Sequence, residues 1–272
     1  MPPRRDLHVI SERDLVSTYD PRQYDDAWDA VEQYRRVNSY HERNPEKGSS
    51  AVSNEFGLPR GRVHGWLHGG KPDQVKALSF GHQYGWFDAT WEDEAGHAFN
   101  TLVAAVFAGG SIGARDYSLR FTLGKGHEAQ ITAAVERLAG GYRTVQDIDG
   151  RKTWEISPTQ GQAPLARALV ALGAPRGTKN ADADVSLPEY LKTAPERIRQ
   201  EFLQVYLTLR ASDAEYTNYL TVRESRPDEF LDELAAFMDQ ELPAEVYRND
   251  SIVVSPEAID ALDAPLEEGS LG

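Results

Sequence analysis

Apolar positions recur at three- and four-residue spacings from Tyr24 to His41, where Ala27, Ala30, Val31, Tyr34 and Val37 form one stripe of a helix that breaks at Asn44-Pro45. Ser49 or Ser50 is placed to cap a second helix, in which Val52 and Phe56 lie four apart, and Gly57 stands where a tight turn needs a positive φ. Pro59 suits the first turn of a third helix, which buries Val63, Trp66 and Leu67, turns Arg60, Arg62 and His64 outward and ends at Gly69-Gly70. From Asn100, NTLVAAVFAGGSIG reads as an apolar helix whose small residues Ala104, Ala105 and Ala108 allow close packing, with Gly109-Gly110 leading into short strand-like runs. YSLRFTLG predicts a strand, 127–139 a helix on Ile131, Val135 and Leu138, and YRTVQDI and RKTWEIS two strands joined at Asp149-Gly150, before a helix from Pro164 to Leu172. A helix at 195–210, the strand-like YLTVRE, a helix at 227–240, the run SIVVS and a short helix from Pro256 repeat that order in reduced form, which points to a pseudo-two-fold unit.

The pattern predicts an α+β chain. An N-terminal arm (1–23) precedes a helical domain (24–78), a connector (79–96) and an αββαββα domain (97–265) built from repeats 97–175 and 195–265, with a disordered tail at 266–272. In the connector, Trp86 and Trp91 are expected to pack rather than to stack on bases, because acidic residues surround them. Five Trp and 40% hydrophobic residues argue against wholesale disorder. The lack of cysteine excludes disulfides and thiolate metal sites. The seven His show no i, i+4 pair of the H-E-x-x-H kind, so neither zinc nor another cofactor is expected. There is no basic-apolar leader and no run of about 18 apolar residues, which makes the cytoplasm the expected compartment and a membrane an unexpected partner.

Charge sharpens this picture. The net charge is −14, and only seven of the 29 basic residues are Lys. Acidic excess, Arg in preference to Lys and absence of Cys together resemble proteins of salt-loving archaea. Residues 33–76 nevertheless hold eight basic groups (Arg35, Arg36, Arg43, Lys47, Arg60, Arg62, Lys71, Lys76) against four acidic ones, leaving 21 basic against 39 acidic elsewhere. A local positive patch on an acidic chain points to an anionic partner.

The order Val52, Phe56, Gly57, Leu58, Val63, Trp66 resembles the helix-turn-helix of many transcription factors, although Ser53 stands where that motif usually has Ala. The second helix of such a pair enters the major groove of double-stranded DNA, where Arg can grip guanine bidentately. The resemblance implies that Arg60 and Arg62 read bases, with His64 beside them, and that Arg35, Arg36, Arg43, Lys47, Lys71 and Lys76 touch phosphates. The alternative is a plain three-helix packing unit with solvated arginines.

LVAAVFAGGS and, about a hundred residues later, FLQVYLTLRAS resemble the LAGLIDADG signature of homing endonucleases, and LGAPRGTKNADADVSLPEYL between them is similar to that family's linker. The resemblance covers roughly 97–265 and implies two central helices with saddle-shaped sheets along DNA. Cleavage in that family needs carboxylates at the feet of both helices to hold divalent metals. The matching positions are Gly109 and Arg210, and the earlier acid of each motif is replaced by Phe107 and Thr208, so metal-dependent cutting is expected to be absent. Asp116 and Asp213, past the helix ends, are expected to be solvated turn residues. Arg115, Arg120, Lys125, Arg143, Arg151 and Lys152 lie on or beside the strands and can meet phosphates, with Asp147, Asp149 and Glu155 offsetting the last three.

A helix-turn-helix joined to a non-cutting LAGLIDADG unit also resembles the plan of a family of bacterial sporulation regulators, with the order of the two parts reversed. The expected function is a sequence-specific DNA-binding transcriptional regulator, not an enzyme, whose second domain extends the footprint or docks another protein. The alternatives are an active or residual endonuclease, which needs an acid at 109 or 210, and a protein-interaction scaffold that has lost DNA binding. Target site and oligomeric state are open.

Overall fold

The computed structural model describes residues 8–123, 128–145, 154–213 and 219–257. It comprises two compact units, one of Ile10–Phe87 and one of Met1–Val9 with Asp88–Gly272, so the boundary falls inside the stretch 79–96.

The first unit is helical: α1 (Glu12–Ser17), α2 (Ala27–Arg43), α3 (Ser49–Phe56), α4 (Arg60–Leu67) and α5 (Asp73–Gln83). α1 starts at a Ser11–Asp14 capping box, within the stretch expected to be an arm. α2 starts at Ala27 rather than Tyr24, because Asp26 caps it and Asp29 closes the box. The expected serine cap of α3 is not made: Gly48 occupies that position, without a side-chain bond, and Ser49 is the first helical residue. Val37, Val52, Val63 and Trp66 form the buried centre of α2, α3 and α4, with Tyr34, Phe56, Leu58 and Leu67 packed around them. Tyr34 meets Trp66 edge-on at 5.6 Å, and Tyr40 meets Phe56 at 5.4 Å.

The turn between α3 and α4 follows from two residues. Gly57 adopts φ 61 and ψ 30, the left-handed region that favours glycine, and a Cβ there would meet nothing within 4 Å, so backbone conformation rather than space selects it. Ser53 is buried, and its hydroxyl donates to the Leu58 carbonyl at 2.5 Å while its own carbonyl accepts from the Leu58 amide at 3.0 Å. The departure from Ala therefore adds a bond across the turn.

The second unit repeats one plan twice. α6 (Glu94–Ala108), β1 (Ser111–Ile112), β2 (Leu119–Leu123), α7 (Glu128–Ala139), β3 (Tyr142–Val145), β4 (Trp154–Pro158) and α8 (Gln162–Ala171) form the first half. α9 (Glu196–Arg210), β5 (Ser212–Asp213), β6 (Leu220–Val222), α10 (Asp228–Glu241), β7 (Val246–Arg248) and β8 (Ile252–Val254) form the second. The antiparallel sheets have matching orders, β1-β2-β4-β3 and β5-β6-β8-β7. The second half is thus fuller than the reduced repeat expected from sequence. β5 and β7 were not foreseen, being too short to show alternation, and Asp213 lies in β5 rather than in a turn. The Asp149-Gly150 connection lies outside the described residues, as does the helix expected from Pro256 beyond Glu257.

α6 is buried on all sides from Ala95 to Ala108 except at His97, as befits a central helix. It packs most extensively on α7 and α9. The one amide within it, Asn100, is satisfied: Nδ2 donates to the Ile198 carbonyl at 2.8 Å, and Oδ1 accepts from the Tyr190 hydroxyl at 2.7 Å. Ile131, Val135 and Leu138 of α7 are buried as their spacing predicts. Trp86 is fully buried within the first unit and Trp91 stacks on Tyr190 at 4.6 Å within the second, so both serve packing.

Replacing Ser53 by Ala removes one side-chain bond and is expected to cost about 1 kcal/mol. Gly57→Ala should cost about 1–2 kcal/mol through backbone strain alone. Urea denaturation followed by Trp fluorescence measures both, and no loss for Gly57→Ala would contradict the left-handed turn.

Candidate nucleic-acid interface

In the first unit the eight cations divide by their surroundings. Arg60, the first residue of α4, is exposed. His64 is also exposed and lies against His68, with ring centroids 4.0 Å apart. These two His are one helical turn apart, but no group of three His, Asp or Glu able to hold a metal occurs among the described residues. Arg62 does not face out as expected: it is half-buried, and its guanidinium lies 3.5 Å from Tyr24 Oη and Gln33 Oε1. Arg35 pairs with Glu12 at 2.7 Å and lies over Trp28, and Lys76 pairs with Asp73 at 3.0 Å. Glu12 also meets His82, and despite burial these hydrogen bonds hold its carboxyl below the ordinary range. Arg36 lies over the Phe56 ring, Arg43 donates to the Ser39 carbonyl, Lys71 to Ser79, and Lys47 to the Tyr40 hydroxyl. Arg36, Arg43, Lys47, Arg60 and Lys71 enter none of the ion pairs among the described residues.

In the second unit, strand register assigns the sheet faces. Phe121 opposite Ile156 is buried, so Arg120, Thr122, Glu155 and Arg143 project from the other side of the first sheet. Arg120 pairs with Glu155 at 3.2 Å, while Arg143 and Arg115 are exposed. The equivalent face of the second sheet carries Ser212, Thr221, Val253 and Tyr247. The Arg of its strands, Arg248, lies on the opposite face and pairs with Asp228 and Asp232 of α10. Lys125, Arg151 and Lys152, with Asp147 and Asp149, lie outside the described residues.

The feet of α6 and α9 carry a network that sequence reasoning missed. Glu224, whose side chain is 1% exposed, accepts from Arg210 Nε at 2.6 Å and from Tyr206 Oη at 2.7 Å on one oxygen, and pairs with Arg226 through the other. Arg226 also donates to the Phe107 carbonyl. Lys179 Nζ donates to the carbonyls of Val106 and Gly110 at 2.6 Å each. Helix C-termini present unpaired carbonyls and the negative end of the dipole, so these cations act as caps of α6. Burial, and then the charge of Arg226, bring the Lys179 ammonium down to about 8. Desolvation first, then Glu224, pushes the Tyr206 phenol well up. Lys179 was visible only as a letter in the linker; Glu224 and Arg226 carried no local signal.

Among the described side chains the donor set does not fit a divalent cation: both oxygens of Glu224 at the foot are engaged by protein cations. Gly109 caps α6 with φ 168 and ψ −16, and a Cβ there would meet nothing within 4 Å. Phe107 is buried against Phe202 and Phe230. Asp116 sits in an exposed turn and accepts from the Ser118 amide at 3.1 Å.

Two αββαββ halves with matching sheets around a central helix pair define the class of this domain. No protein-family model matches the sequence, and a search of curated proteins finds no match. Among solved structures, I-DmoI in complex with DNA and Mn is similar at a TM-score of 0.40 and 11% identity, covering 64% of this chain and 100% of that one. The N-terminal LAGLIDADG domain of WhiA is similar at 0.38 and 9% identity, covering 68% of this chain and 89% of that one. Likenesses of this size carry no weight of their own, and the class rests on the strand order.

Lys179 makes stability depend on pH. Its folded value is lowered, so between about 8 and its ordinary value the unfolded chain binds more protons and stability rises with pH. Below about 8 the cost of burying the charge, up to about 3 kcal/mol, is present in full. Lys179→Met should remove this rise, so the wild-type urea midpoint minus that of the variant should increase from pH 8 to pH 10, approximately the onset of tyrosine ionisation. A flat difference would refute the assignment.

Proposed function

We propose that the chain is a sequence-specific DNA-binding regulator of transcription, in which α3, its turn and α4 form a helix-turn-helix and the second unit is a LAGLIDADG-type domain that does not cut. The observation that carries this reading is Arg60: an exposed guanidinium on the first turn of the second helix of the pair, where such a helix meets base edges. His64 lies one turn on, on the same exposed side. Arg36, Arg43, Lys47 and Lys71 supply charge for phosphates, which orient the protein without reading sequence. Arg62 is assigned to positioning α4 through Tyr24 and Gln33.

Support for a non-cutting second unit comes from the foot. In-line phosphodiester hydrolysis needs a metal or another device to activate water and stabilise the leaving oxygen, and here Gly109 and Arg210 stand at the positions where the resemblance places carboxylates, with Arg226 and Lys179 donating to the Phe107 and Gly110 carbonyls beside them. Of the two sheets, the first offers Arg115, Arg120 and Arg143 to DNA. The neutral face of Thr221, Tyr247 and Val253 on the second favours contact with a protein instead.

Selection from a genomic DNA pool at high potassium chloride with magnesium present tests the whole reading. Wild type should enrich one motif without cut products. Arg60→Ala should lose about 1–3 kcal/mol and relax specificity at one position, whereas Lys71→Gln should weaken all sites alike and lower the salt slope by about one. Failure of wild type to enrich any sequence would favour a protein scaffold, and cut DNA would overturn the non-cutting assignment. Gly109→Asp, for which there is open space, should fold at a cost of about 1 kcal/mol from the dipole at the end of α6 and still not cut, because Arg210 and Arg226 continue to hold Glu224.

A further inference from the structure

At the end of α6 away from the foot, a cleft of about 460 Å³ opens between α6, α7 and α9. Glu94, His97 and Thr101 line it from α6, Gln130 and Arg137 from α7, and Arg197 and Glu201 from α9, while the short side chains Ala98, Ala133 and Ala134 leave the space. Its volume is in the range of small-molecule sites, and its few polar groups converge from three elements.

The cleft is built around a buried acid. Glu201 has a side chain 9% exposed, and each of its oxygens has a partner: His97 Nδ1 at 2.6 Å on one, Arg197 Nε at 3.1 Å on the other. A carboxylate in that position is tolerable only when paired, and here the partners are cleft residues. Glu201 orients them as a carboxylate orients a metal-binding or catalytic imidazole. Among the described residues His97 Nε2 and the two terminal nitrogens of Arg197 make no further hydrogen bond, and these side chains are 27% and 50% exposed. Glu94, the other acid of the wall, is tied to Arg137 at 3.7 Å.

The geometry points to a binding site for a small molecule with an oxyanion head, a carboxylate or a phosphate monoester, gripped by the free edge of Arg197 and, when the ring carries both protons, by His97 Nε2–H, with its compact body over the alanines. A guanidinium edge matches the planar spread of such a head, and an imidazole held at Nδ1 presents its second nitrogen in a fixed direction. Because α6 and α7 belong to the first half and α9 to the second, an occupant holds the two halves together.

Thermal unfolding of the full chain, titrated with inorganic phosphate or with acetate against potassium chloride at equal ionic strength, tests it. One oxyanion should raise the midpoint saturably, and which of the two does so identifies the head. Arg197→Gln should weaken half-saturation about tenfold or more, as loss of a charge-assisted hydrogen bond implies. Because Arg197 also holds Glu201, the wild-type histidine ring signals are followed by NMR in the same titrations: the His97 signals should move with the same half-saturation while those of His64 and His82 stay. No saturable response to either anion, an equal response in Arg197→Gln, or a rising midpoint with unmoved His97 signals would each overturn the proposal.

Discussion

The second unit depends on the burial of one carboxylate between two helix ends. A charge as enclosed as that of Glu224 would be strongly destabilising alone, and breaking such a pair by removing one partner typically costs about 3–5 kcal/mol. Arg210, Arg226 and Tyr206 make the position tenable. The same cations have a second task, since Arg226 and Lys179 satisfy carbonyls that the end of α6 leaves open. Phe107, Phe202 and Phe230 pack beside this polar foot, where Arg226 donates to the Phe107 carbonyl and pairs with Glu224.

This network ties structure to proposed activity. The two sheets hang from helices whose feet meet at Glu224, and the cations there oppose the binding of a divalent metal by charge. The halves match in strand order but differ in chemistry: the face of the first sheet carries Arg120 and Arg143, that of the second Thr221, Tyr247 and Val253. A symmetric scaffold therefore presents two unlike surfaces.

The first unit reaches its geometry by a different balance. An apolar centre of Val37, Val52, Val63 and Trp66 fixes α4 against α2 and α3, while Gly57 and the Ser53 hydroxyl set the angle of entry. Arg60 stays available because it lies at the start of α4 on the side away from that centre, and Arg62, two residues on, is turned toward Tyr24 and Gln33 of the α2 region.

Local periodicity and turn chemistry determined much of this from sequence alone. The stripes of α2 and α7, the glycine at 57 and the strand-like runs of β2, β4, β6 and β8 are each written in residues close together along the chain. The positive segment 33–76 and the lack of acids at 109 and 210 were legible for the same reason. Tertiary structure alone decided what depends on partners distant in sequence. β5 and β7 exist because β6 and β8 pair with them. Arg35 and Arg62 point where Glu12, Tyr24 and Gln33 draw them. Lys179 finds the end of α6 some seventy residues away, and Glu224 gathers arginines from two sides. A pattern of apolar spacings encodes which face is buried, but the pairing energy of an ion or an edge strand is set by what the fold brings opposite it.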